Sequence, residues 1–154
     1  MNAPVKLQLL LDAQRLERNP FPIPSGWFFA DYSDSLKPGE VRLINFLGQE
    51  WVMFRGESGT VGITDPYCPH LGAHLGHGGK EVGDNIRCTF HHWEYNAEGF
   101  CKHIPYAKVM PPITKKQPIL RTLPVVEKYG LIWAWYHPEA VDPQWELPHI
   151  PEME

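Results

Sequence analysis

Two short stretches restrict this 154-residue chain more than anything else in it: Cys68-Pro69-His70 and Cys88-Thr89-Phe90-His91, with 17 residues between His70 and Cys88. Each offers one thiol and one imidazole, the donor types that hold soft and borderline metals. A chain that uses both must bring two loops together and brace them on a rigid scaffold. The first stretch lies in 66–79, which holds four glycines and three histidines without periodicity, and the second runs over 88–93. Both read as loops. The remaining cysteine, Cys101, makes the count odd, and without a secretion signal that favours metal binding or free thiols over disulfides.

The rest of the pattern supplies a β scaffold. Short apolar or alternating runs at 27–30, 41–46, 50–55 and 61–64, joined at Gly48-Gln49 and Ser58-Gly59, predict an antiparallel meander. A short strand at 85–87 separates the two loops. After the turn Asn96-Ala97-Glu98-Gly99 come a brief strand at 100–101 and a proline-studded stretch, 105–118, which cannot be a central strand and should wrap the surface. Runs at 120–127 and 131–136 around Lys128-Tyr129-Gly130 predict a hairpin. Ahead of the strands, 6–18 is a weakly amphipathic helix candidate with Leu7, Leu10 and Leu11 on one face, and Pro20, Pro22 and Pro24 make an extended link. The expected fold is all-β, antiparallel sheets carrying two loops, plus a short N-terminal helix. It divides into 1–26, a domain at 27–137, and a proline-rich tail at 138–154.

Composition narrows the partners. With 43% hydrophobic and 21% charged residues the chain matches soluble globular domains. Net charge is −4 and the basic residues are scattered, so neither nucleic acid nor a membrane is expected as a partner. The first 18 residues contain no apolar core of signal-peptide length, and a cytoplasmic location is the expectation.

A Cys₂His₂ zinc site would accept the same donors. Structural zinc motifs, however, usually pair cysteine with cysteine and histidine with histidine at each crossing. Here each crossing mixes the two. A two-iron, two-sulfide cluster with two thiolates on one iron and two imidazoles on the other takes one ligand of each kind from each loop.

Cys68-Pro69-His70-Leu71-Gly72-Ala73-His74-Leu75 together with Cys88-Thr89-Phe90-His91-His92-Trp93 resembles the cluster-binding pair of the Rieske non-haem iron oxygenases. The similarity runs from about 27 to 136, including 99–106 and Pro124-Val125-Val126-Glu127 with Gly130-Leu131-Ile132-Trp133. Within that family the chain is most similar to the branch of ketosteroid hydroxylases and cholesterol desaturases. The resemblance implies a Rieske-type [2Fe-2S] cluster on Cys68, His70, Cys88 and His91, and a one-electron-transfer role. It implies a reductase or ferredoxin as donor, a mononuclear-iron oxygenase domain or subunit as acceptor, and homo-oligomers. His92 stands where many relatives have glycine, and the family spacing selects His91 as the ligand. Respiratory Rieske proteins add an inter-loop disulfide, whose positions are Ala73 and Phe90 here, and a serine whose place is taken by Trp93, although Tyr95 matches their tyrosine. Fewer hydrogen bonds to sulfur should place the midpoint potential in the lower half of the roughly −150 to +300 mV span of such centres.

Family oxygenases perform their chemistry at a mononuclear iron held by two histidines and a carboxylate. Glu146-Leu147-Pro148-His149 offers one carboxylate and one histidine, but Pro148 lies between them and no second histidine follows. No catalytic residue is therefore expected, and the chain reads as the electron-transfer part of an oxygenase, with a stand-alone Rieske ferredoxin-like carrier as the alternative. His74 and His77 should form the surface of the first loop, Cys101 should be a small packed residue on a strand, and Trp27, Trp51, Trp133 and Trp135 belong to the core or an interface.

Overall fold

The computed structural model describes residues 23–153; the expected helix at 6–18 and most of the proline link lie outside them. Eleven strands among the described residues form three antiparallel sheets: β1 Gly26–Tyr32, β2 Val41–Phe46, β3 Gln49–Arg55, β4 Val61–Thr64, β5 Lys80–Val82, β6 Asn85–Arg87, β7 Glu94–Asn96, β8 Cys101–His103, β9 Thr122–Leu123, β10 Val125–Lys128 and β11 Leu131–Tyr136. The sheet orders are β1-β11-β10, β2-β3-β4-β9 and β5-β6-β7-β8. Among the described residues no helix is long and apolar enough to cross a membrane.

The layering follows from the alternation of side chains along β3. Trp51 and Met53 enter one core with Leu36, Val61, Ile63, Leu123, Ile132 and Ala134, between the first two sheets. Val52 and Phe54 enter the other with Leu75, Ile86, Tyr95, Ile104 and all three cysteines. The second sheet is thus the middle layer, buried on both faces, which is why 51–54 reads as an unbroken apolar run.

Two hairpins turn on left-handed pairs, Leu47 (φ 52°) with Gly48 (φ 75°) and Tyr129 (φ 60°) with Gly130 (φ 69°). Positive φ at both central residues matches the right-handed twist of the flanking strands. The hairpin expected around Lys128-Tyr129-Gly130 is therefore present, but its first arm is shorter than foreseen. Pro124 breaks 120–127, so that β9 pairs with β4 in the middle sheet while β10 pairs with β11 in the outer one. The meander also needs correction, because β1 pairs with β11 rather than with β2. The strand expected at 100–101 occupies Cys101–His103, and β5 and β7 were not foreseen. The proline-studded stretch lies on the surface and holds one short helix, α1 (Pro112–Lys116).

Arg55 fastens the outer sheet to the middle one. Its guanidinium makes a two-pronged ion pair with Glu127 of β10 (2.7 and 2.9 Å) and donates to the carbonyls of Ser33 (2.9 Å), Leu36 (2.7 Å) and Gly59 (2.8 Å). On the far side of the outer sheet the tail folds back. Trp145 packs edge-on against Trp135 (4.6 Å between centroids), and the Trp27 indole N–H donates to the Trp145 carbonyl (2.8 Å). Trp27 and Trp135 are packed side chains as expected.

Candidate metal centre

The first loop crosses from β4 of the middle sheet to β5 of the third, the second joins β6 to β7 within the third, and both close in the same way. In the first, the Cys68 N–H donates to the Ala73 carbonyl (2.9 Å); in the second, the Cys88 N–H donates to the Trp93 carbonyl (2.9 Å). Each closure joins residues five positions apart and has a left-handed residue four positions after the cysteine, Gly72 (φ 74°) and His92 (φ 58°). Glycine adopts that conformation without penalty, whereas a residue with a Cβ is strained there by about 1 kcal/mol. His92 is exposed. A His92→Gly protein should be more stable by about 1 kcal/mol, raising Tm by about 2–4 °C with unchanged iron content; scanning calorimetry with an iron assay checks it.

Close packing of the first loop onto its base explains another glycine. A Cβ on Gly79 would lie 1.9 Å from the Leu75 carbonyl oxygen, in the turn that delivers the chain to β5. Leu75 itself is fully buried and anchors the loop through its N–H to the Pro66 carbonyl (2.7 Å).

The four expected donors come together in pairs. Cys68 and Cys88 are 3% and 2% exposed and share one core. His70 and His91 are half-buried, their ring centroids 4.7 Å apart at 74°. Among the described residues no three or more histidine, cysteine or acidic side chains gather as a group that could hold a single ion. The donors instead sort as thiol with thiol inside and imidazole with imidazole toward the surface, the division that two bridged irons require. By donor type, depth and pairing the residues fit a [2Fe-2S] cluster.

Burial pushes the Cys68 thiol up, Tyr95 and the His70 backbone pull it down, and Cys88 adds to the rise. Burial, then the contact with Cys68, drives the Tyr95 phenol far above its ordinary range, so it stays protonated and its hydroxyl, 3.1 Å from the Cys68 sulfur, is available to donate. Burial likewise raises Cys101 to about 11; it sits on β8 with its thiol directed to the His103 carbonyl (3.7 Å).

Several contacts around the donors had no sequence signal. Trp93 lies flat on His70 (4.4 Å, 9°), and its indole N–H donates to the Tyr106 hydroxyl. Buried Glu94 receives Arg87 (2.9 and 2.7 Å) and faces His103 (3.3 Å). His74 departs from expectation: its side chain is only 14% exposed, because Nδ1 accepts the Gly76 N–H (3.1 Å) and Nε2 pairs with Glu50 (2.8 Å). His77 is exposed, as expected.

Comparison with known proteins agrees with this geometry. The family model for the Rieske [2Fe-2S] domain matches residues 26–124. The chain is similar to the cholesterol 7-desaturase nvd of Xenopus laevis, 41% identical over 131 residues that cover 84% of this chain and 28% of the relative. The cholesterol 7-desaturase of Caenorhabditis elegans is 39% identical over 150 residues, 96% and 34%. The probable 3-ketosteroid-9-alpha-monooxygenase oxygenase component of Rhodococcus rhodochrous is 34% identical over 128 residues, 83% and 31%. The chain thus spans 28–34% of the length of these relatives. Among solved structures, dicamba monooxygenase superposes with a TM-score of 0.61 and 29% identity, over 77% of this chain and 36% of that one. The oxygenase of the carbazole 1,9a-dioxygenase complex with ferredoxin shares the fold (TM-score 0.58, 24% identity, 71% of this chain and 28% of that one).

Proposed function

Because this chain belongs to the Rieske [2Fe-2S] domain family, we propose that Cys68, His70, Cys88 and His91 hold its cluster and that it passes single electrons as the Rieske part of a sterol- or steroid-oxidising oxygenase system. The observation that carries this is the depth order of the donors, two thiols inside and two imidazoles at the rim. A [2Fe-2S] centre with this ligand set takes up and returns one electron near neutral potentials. The protein's residues set the conditions. Val52, Phe54, Leu75 and Ile86 keep water from the thiols, and the half-exposed imidazoles face partners. Trp93 fixes the plane of His70, and Tyr95 donates to the sulfur of Cys68.

The division proposed is 27–137 as the electron-transfer domain, with 1–26 and 138–154 as flanking segments. A reductase or ferredoxin supplies the electron, and a mononuclear-iron centre outside these residues receives it and carries out the substrate chemistry. Relatives named as sterol and ketosteroid oxidising enzymes favour this over a free-standing carrier. Steroid product formed by this polypeptide alone would contradict the division of labour.

Spectroelectrochemical titration tests the reading. One electron per chain should be taken up, with a midpoint in the lower half of the roughly −150 to +300 mV span. Loss of the one hydroxyl donated to Cys68 removes charge stabilisation worth about 1–1.4 kcal/mol, so Tyr95→Phe should lower the midpoint by about 40–60 mV. A wild-type midpoint in the upper half, or no shift in the variant, would contradict the argument.

A further inference from the structure

The basic residues of this chain are spread along it, but the acidic ones are not. None of the 18 falls in 99–126, the stretch that carries Lys102, Lys108, Lys115, Lys116 and Arg121. The remainder holds nine basic against 18 acidic residues, a net charge of −9 within a total of −4. The two loops of the centre, 66–80 and 88–93, are free of acidic residues as well.

The fold turns this composition into a surface. Helix α1 packs on β8, and Lys102 and Lys115 line one cleft of about 260 Å³ with Phe100 and Met110. Tyr106, Ile113 and Val109, the last 79% exposed, stand beside these lysines in the same stretch. Of the neighbouring carboxylates, Glu94 is buried and paired with Arg87 and His103. That leaves exposed Glu98, hydrogen-bonded by the neutral Asn96 amide, as a single negative charge at the edge of the strip against its five basic residues. The strip is joined to the centre, since Tyr106 accepts the indole N–H of Trp93 and Trp93 stacks on His70.

We propose that this basic, apolar-flecked strip is the docking surface for a protein electron donor whose own face is rich in carboxylates. The inference rests on the Rieske reading and names the partner's chemistry. A local positive field in an otherwise negative protein steers and orients an acidic partner, while Tyr106, Val109 and Ile113 supply short-range contact. Anionic lipid would also be drawn to lysines, but α1 is five residues long, too short to lie as an amphipathic helix in a membrane surface, and the strip leads to an electron-accepting histidine.

The test uses the full chain with its cluster and, as donor, an acidic plant-type [2Fe-2S] ferredoxin, which at about −400 mV reduces a Rieske centre downhill. By stopped flow, the second-order rate should fall about tenfold between low salt and about 0.3 M salt. The triple variant Lys108→Glu/Lys115→Glu/Lys116→Glu should lose about tenfold at low salt, with midpoint potential and EPR spectrum unchanged. A rate that rises with salt, as the net charge alone would dictate, overturns the proposal, as does a variant that reacts like wild type. So does a variant that loses only its affinity for phosphatidylserine vesicles. A protein without iron and sulfide would sink the Rieske reading, seen in the metal count before any rate is measured, and the donor surface would go with it.

Discussion

A Cys88→Ser protein should contain no [2Fe-2S] cluster, with visible absorbance and iron content at background, whereas Cys101→Ser should keep both. The contrast matters because the two thiols share one buried core and differ in what surrounds them. Cys88 opens a loop whose closure also presents His91, beside a loop built the same way around Cys68 and His70. A serine hydroxyl at 88 does not ionise at neutral pH and is a hard donor, so a position 2% exposed would be left with a polar group in place of a thiolate. Cys101 lies on a strand with its thiol turned to the His103 carbonyl, and burial holds it protonated, its pKa at about 11. Iron and sulfide assays on the two variants check the prediction; cluster loss in Cys101→Ser with retention in Cys88→Ser would reverse the assignment.

The largest loss of stability should come from Arg55→Met. The methionine keeps much of the apolar stem but leaves Glu127 and three backbone carbonyls without their donor. Breaking a buried ion pair from one side typically costs about 3–5 kcal/mol, and partial exposure of Glu127 places this case near about 3 kcal/mol, a fall in Tm of about 6–12 °C. Calorimetry measures it. The pair also predicts a pH dependence. The hydrogen bond from Arg55 holds the Glu127 carboxyl below its ordinary value, so its contribution is fully present above the usual carboxylate range and is lost as pH falls through the depressed value. The stability gap between wild type and Glu127→Gln should therefore shrink in acid.

Local chemistry was legible in the sequence and long-range pairing was not. The bounds of β2, β4 and β11 follow from apolar runs ended by turn residues, β6 from its place between the two loops, and β3 starts one residue before the expected run. By contrast, β1 finds its partner about a hundred residues away in β11, and no local pattern announces that. Pro124 looks like a flaw in one strand and is in fact the step between two sheets. β5 and β7 are three residues long and rich in polar side chains, so hydrophobic pattern cannot find them, although Gly83-Asp84 is a hairpin signal between β5 and β6.

At the proposed centre, the mixing of thiol and imidazole in each of two loops drew attention to Cys68, His70, Cys88 and His91, and the family resemblance chose His91 over His92. The supports of those residues come from elsewhere in space. Trp93 reaches Tyr106 across thirteen residues, and His74 finds Glu50 across twenty-four. The left-handed backbone at His92 was signalled only by the glycine that relatives carry there.

Metal and sulfide analysis of the anaerobically purified protein, read with low-temperature EPR after reduction, tests the central claim most directly. The account predicts about two irons and two labile sulfides per chain and the signal of a reduced cluster with imidazole on one iron. One zinc per chain, with neither iron nor sulfide, would contradict it.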